Sequence, residues 1–214
     1  MVNVKSVIDI LRFTDKYDIK LILTKLGSIP KLNLSIENFD TVFLYAYEYS
    51  NNALQADCFE FYKINQDKIH SIGKFGKIPL EIFVKAVKNS FNLQTKFDVL
   101  RYANGDPDLF LGATESNTLS KPYHLDACKD GTELIGVLEK FLLGPLTLED
   151  FCPVVDYAWK FKRKELMKTC AEFWNANRDN IFELETYYDL PPETTHQISE
   201  LGYRLKHNPS FSLS

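Results

Sequence analysis

The sequence predicts an α+β chain, predominantly helical, built as two tandem units that each open with a short β-hairpin and continue as a helix pair. Three observations lead there: an internal repeat, Gly and Pro punctuation near the start of the second copy, and apolar spacing of three and four residues inside the repeated segments. A shift of 112 residues lays 34–81 on 146–193 without a gap, and 15 of the 48 aligned positions are identical. Ordinary composition gives roughly three or four identities over that length, so the chain carries a duplication. Upstream the shift changes. Ile8-Asp9-Ile10-Leu11-Arg12-Phe13 lies on Phe97-Asp98-Val99-Leu100-Arg101-Tyr102 at a shift of 89, and Asp18-Ile19 on Asp108-Leu109 at 90. The step from 90 to 112 gives copy two about 22 extra residues, which fall within 112–131. The expected division is therefore 1–94 for an abbreviated first unit and 95–214 for a second unit carrying that insert.

Each copy begins with a segment whose period is ambiguous. DILRFTDKYDIKLILTKL fits a helix or a strand over so short a run, but its counterpart FDVLRYANGDPDLFLGA places Asn104-Gly105-Asp106-Pro107 at its centre. Gly and Pro there break a helix, which predicts strand, turn and strand in both copies. Helices follow. Ser35 is an N-cap in copy one, and Thr147-Leu148-Glu149-Asp150 in copy two has the form of a capping box. Phe39, Val42, Phe43, Ala46 and Tyr49 keep helical spacing, as do Phe151, Val154, Val155, Ala158 and Phe161. A second helix repeats Leu54, Cys58, Phe61 and Tyr62 as Leu166, Cys170, Phe173 and Trp174, after the polar turns Ser50-Asn51-Asn52 and Lys162-Arg163-Lys164. A third starts at Pro79 in copy one and near Pro191-Pro192 in copy two, with Pro at the first helical position. Copy two has one more helix over 132–143, stopped by Gly144-Pro145.

A formal charge of −4, from 25 basic and 29 acidic side chains, excludes a polyanion binder that works through bulk charge. The N-terminal segment interrupts its apolar residues with Asp9, Arg12 and Asp15, so no signal peptide is read there. No window reaches the roughly 18 apolar residues of a membrane-spanning helix. Cys58, Cys128, Cys152 and Cys170 show no C-x-x-C spacing, which suits reduced thiols and a cytoplasmic or nuclear setting.

Chemistry-bearing residues are scattered. His70, His124, His196 and His207 lie far apart, and His124 with Cys128 is the closest approach to a metal-ligand spacing, with no second pair to complete it. No metal and no cofactor is expected. Cys58 and Cys170 share one repeat position on an apolar face, where a small buried hydrophobe is the simpler reading than a nucleophile. The repeated carboxylates, Glu60 with Glu172 and Asp67 with Asp179, fall on helix surfaces or exits. Gly-rich phosphate loops are absent. Lys160, Lys162, Arg163, Lys164 and Lys168 form one basic run with Trp159 and Phe161 interleaved, a pattern open to single-stranded nucleic acid. The equivalent aromatics Tyr47 and Tyr49 lack such cations, which favours core aromatics beside a solvated helix end.

Residues 132–174 carry a G-P-L-T step over 142–147, then Ala158 to Phe161 and Leu166-x-x-x-Cys170-x-x-Phe173. This stretch resembles the C-terminal half of a BTB/POZ domain, with the preceding segment similar to that family's opening hairpin and Tyr123-His124-Leu125 to its third strand. Copy one, with 65–82, resembles the BACK helices that follow such domains. The resemblance implies two tandem BTB/BACK-like units and a protein-interaction module of the adaptor type, with a cullin ubiquitin ligase and a client protein as partners and self-association as a further expectation. Phe151, Trp159, Phe161, Lys162 and Arg163 are the candidate interface residues, the aromatics on condition that they are exposed. No residue is assigned to catalysis. Two alternatives remain open: a nucleic-acid-associated or transcription-regulatory binding protein, and an enzyme whose site uses Glu115, His124, Asp126 and Cys128 on the insert.

Overall fold

The computed structural model describes residues 3–71, 78–110 and 131–208, and no β-strand occurs among them. The expected α+β class is therefore corrected to an all-helical one. As far as the described residues run, both segments read as hairpins are helix, turn and helix. In copy one they are α1 (Val4–Lys16) and α2 (Lys20–Leu26), and in copy two α7 (Lys96–Ala103) followed by a 3-10 turn over Pro107–Phe110. Gly105 and Pro107 do break a helix, but they end one and start another rather than separating strands. Gly105 takes φ +65° and lets the Asp106 amide bond back to the Arg101 carbonyl at 2.9 Å, a left-handed helix exit that glycine adopts without a Cβ penalty. The start of α7 was legible in Thr95-x-x-Asp98. The Asp98 amide donates to Thr95 Oγ1 at 3.0 Å and the Thr95 amide to Asp98 Oδ2 at 2.8 Å, a reciprocal cap contributing about 1 kcal/mol. The third strand expected at Tyr123-His124-Leu125 and the rest of the insert to Asp130 lie outside the described residues.

Contacts divide the chain into two compact units, Met1–Ile135 and Gly136–Ser214. In the first, α1 buries Val4, Val7, Ile8 and Leu11 in one stripe and packs on α4 (Phe39–Glu48), with α2 and the short α3 (Ile29–Leu32) beside it. The pair α4 and α5 (Asn52–Ser71) holds the core through Phe39, which stacks on Phe61 and Tyr62 at 6.0 Å each. Against α5 lies α6 (Leu80–Phe91), and α7 follows it. In the second unit α8 (Gly131–Leu143, which begins just before the division) precedes the pair α9 (Leu148–Lys160) and α10 (Lys164–Phe182). The short α11 (Glu185–Tyr188) leads to α12 (Pro192–His207), which packs on α10 and α9.

The repeat governs the helix pairs to the level of single hydrogen bonds. Helix α4 ends at Glu48 and α9 at Lys160, while α5 begins at Asn52 and α10 at Lys164, each 112 residues apart. Ser50 and Lys162 both turn the chain with φ near +50°, and Asn51 and Arg163 each donate an amide to the buried Ala46 and Ala158 carbonyls at 2.9 Å. Asn65 Nδ2 donates to the Phe61 carbonyl at 3.0 Å, and Asn177 Nδ2 does the same to Phe173. The stacked pair Phe39 and Phe61 recurs as Phe151 and Phe173, 5.7 Å apart. A shared packing pattern has thus produced a shared turn, because the apolar positions that bury both helices also fix where the chain must reverse.

Candidate interaction surface

The expected interface residues fall into different environments. Phe151 is 0% exposed and stacks on Phe173, so it is core and offers no surface. Trp159 is half-buried, and its Nε1 donates to Gln197 Oε1 at 2.7 Å, tying α9 to α12. Phe161 is half-buried against Tyr157, with ring centroids 5.2 Å apart. Arg163 is occupied inside the unit: its Nε and Nη2 reach Glu139 Oε1 and Oε2 at 2.6 and 3.1 Å, a bidentate pair, and the Tyr157 hydroxyl donates to the same carboxylate at 2.9 Å. That network pins α8 to the turn between α9 and α10. Lys162 alone among the five is exposed. The basic run is correspondingly weaker than its sequence suggests, since a bidentate carboxylate offsets one of its cations.

Apolar surface is exposed elsewhere. On α1, Ile10, Phe13 and Tyr17 follow i, i+3, i+7 spacing away from the buried stripe, and Leu21 of α2 is exposed as well. Phe13 and Tyr17 lie with centroids 4.6 Å apart, and the Tyr49 hydroxyl donates to the Arg12 carbonyl at 3.4 Å. Arg12 anchors this edge through Glu48 at 3.0 Å. Periodicity left this segment ambiguous, and the Gly and Pro of its counterpart in copy two led to a strand reading that hid the stripe.

The polar interior of the first unit is a hydrogen-bonded chain. His70 Nε2 lies 2.8 Å from the Tyr62 hydroxyl, that hydroxyl lies 3.3 Å from the Tyr102 hydroxyl, and Tyr102 donates to Gln66 Oε1. Each contact carries one proton only when Nε2 of His70 is protonated and donates to Tyr62, which then donates to Tyr102. Burial lowers the His70 pKa to about 4, so the ring is neutral at pH 7. The same cause pushes the thiols of Cys58 and Cys170 up to about 12, the reverse of what a nucleophile needs. No group of three or more His, Cys, Asp or Glu able to hold a metal occurs among the described residues. A cleft of about 290 Å³ in the second unit, lined by Lys168, Glu172, Asn175, Leu205 and Lys206, brings charges to the surface without a nucleophile. Glu115, His124, Asp126 and Cys128, proposed from sequence as a site on the insert, lie outside the described residues. None of the helices among the described residues is long and apolar enough to cross a membrane.

Neither a family model, a curated protein nor a solved structure matches the chain.

Proposed function

We propose that the chain is a protein-interaction module whose contact surface lies on α1 and α2. The observation that carries the reading is the stripe of Ile10, Phe13 and Tyr17 on α1 together with Leu21 of α2, between 46% and 68% exposed. Apolar side chains aligned in this way cost solubility unless a partner covers them. Support also comes from the duplication, which repeats a packing pattern and repeats no convergent polar group of the kind catalysis requires. No residue is assigned to chemistry. The narrower reading, an adaptor joining a cullin ubiquitin ligase to a client protein, rests on the BTB/POZ resemblance of 132–174 alone, without the hairpin that the resemblance counted.

The test is quantitative affinity purification of the full chain from its native cell type beside a variant carrying Tyr17→Asp and Leu21→Asp. Both residues are exposed, so the fold should survive, as circular dichroism will check. A partner lost selectively from the variant supports the reading. Partners recovered equally by both move the contact away from α1 and α2, and a cullin among those lost supports the narrower reading.

A further inference from the structure

The two copies differ in one respect that the repeat makes informative. Within the first unit, the helix that opens copy two, α7, covers α5 and α6. Tyr102 stacks against Phe91 with centroids 4.7 Å apart, and its hydroxyl meets Gln66 and Tyr62. Val99 and Tyr102 are each 1% exposed. By the shift of 89 their counterparts on α1 are Ile10 and Phe13, which are 46% and 56% exposed. By the shift of 112 the part of the floor beneath α7 made of Tyr62, Gln66 and His70 recurs on α10 as Trp174, Arg178 and Phe182, and the same shift, which α6 and α12 keep at their first residues Leu80 and Pro192, sets Phe91 against Tyr203. That second floor is open at Phe182 and Tyr203, although Trp174 itself is buried. His70 and Phe91 are 7% and 9% exposed, whereas Phe182 and Tyr203 are 38% and 64%. The Trp174 indole Nε1 is buried without a hydrogen-bond partner among the described residues, at the position where the Tyr62 hydroxyl is bonded to its neighbours.

We propose that the chain associates head to tail with a second copy of itself, α1 of one copy docking on α10 and α12 of the next as α7 docks on α5 and α6 within each chain. The internal contact supplies the template for both halves, which is why a second copy is the occupant. Their chemistry differs from the template in complementary ways. Inside the chain a tyrosine hydroxyl meets a glutamine amide. Between chains the incoming ring is Phe13, without a hydroxyl, and the residue at the glutamine position is Arg178, whose guanidinium already lies 4.8 Å over Trp174 and 5.4 Å over Phe182. A phenyl ring and a guanidinium form a cation–π pair, which replaces the hydrogen bond. Because the two surfaces are different, the interface is heterologous and can continue from chain to chain, as stacked repeats do.

This inference rests on the interaction reading above and shares Ile10 and Phe13 of its stripe, while Tyr17 and Leu21 serve only that reading. Sedimentation velocity on the full chain over a concentration series is the experiment, with Phe13→Asp and Tyr203→Asp as separate variants, both at exposed positions. The wild type should gain mass with concentration beyond the dimer, and each variant should weaken association by at least about tenfold. An equimolar mixture of the variants should recover a complex that stops at two chains, since each variant retains one intact half. A monomeric wild type, association unchanged in both variants, or a mixture that does not pair would overturn the proposal. A monomeric wild type that keeps the foreign partner lost from the Tyr17→Asp, Leu21→Asp variant removes only the head-to-tail contact, while a chain with neither removes both readings.

Discussion

His70 lies 7% exposed between Tyr62 and Phe83, its ring edge-on to both, and its depressed pKa makes the first unit sensitive to acid. In the unfolded chain the ring takes a proton near its ordinary 6.5, and in the folded unit only near 4. Between those values the unfolded state binds more protons, so stability falls as pH falls. The contribution is complete above about pH 6.5 and is lost as pH drops through about 4. The separation of the two values corresponds to about 3 kcal/mol, a large fraction of a typical domain's stability. Urea unfolding followed by far-ultraviolet circular dichroism at pH 7.5, 6, 5 and 4 measures it. Tryptophan fluorescence serves as an internal control, because both tryptophans, Trp159 and Trp174, belong to the second unit. The variant His70→Gln keeps an amide able to hydrogen-bond Tyr62 but cannot titrate, and His70→Phe installs the residue that copy two carries at 182. Either variant should lose less stability than the wild type between pH 6.5 and 4. Equal pH dependence in all three proteins would refute the assignment of acid sensitivity to this ring.

Other outcomes follow from single features of the second unit and from the thiols. Arg163→Met takes the guanidinium away from the partly buried Glu139 carboxylate and leaves it the Tyr157 hydroxyl bond, and should cost about 1–3 kcal/mol in urea denaturation without changing partner capture. Pro153 lies inside α9, where it lacks the amide that would bond the Glu149 carbonyl, and the repeat places Thr41 at the same position. Pro153→Thr should therefore raise the thermal midpoint, by an amount corresponding to roughly 1–3 kcal/mol. Cys58 and Cys170 should react with a disulfide reagent at pH 8 only as the helix pairs open, so labelling should accelerate in step with urea unfolding.

The helix pairs were determined by the sequence alone, and the reason is local. Apolar residues at helical spacing, with Pro79 and Pro191 opening the third helices, specify where each helix runs and where its chain reverses, and two copies of one pattern reinforce the reading. The segments 8–26 and 97–113 were not determined in that way. A Gly and a Pro mark a turn, but a turn between strands and a turn between helices use the same residues, and short runs such as Val99 to Ala103 satisfy either period. The choice fell to contacts distant in sequence, with Leu11 buried in the stripe that faces α4 and Tyr102 over Phe91 and Gln66. The same holds for the surface. Helical spacing already set Phe151 on an apolar stripe, but nothing local to Arg163 shows that it pairs with Glu139, because ion pairing is a property of what another helix brings. Ile10 and Phe13 carry nearly the side chains of Val99 and Tyr102, and only the tertiary structure leaves the first pair in water and buries the second.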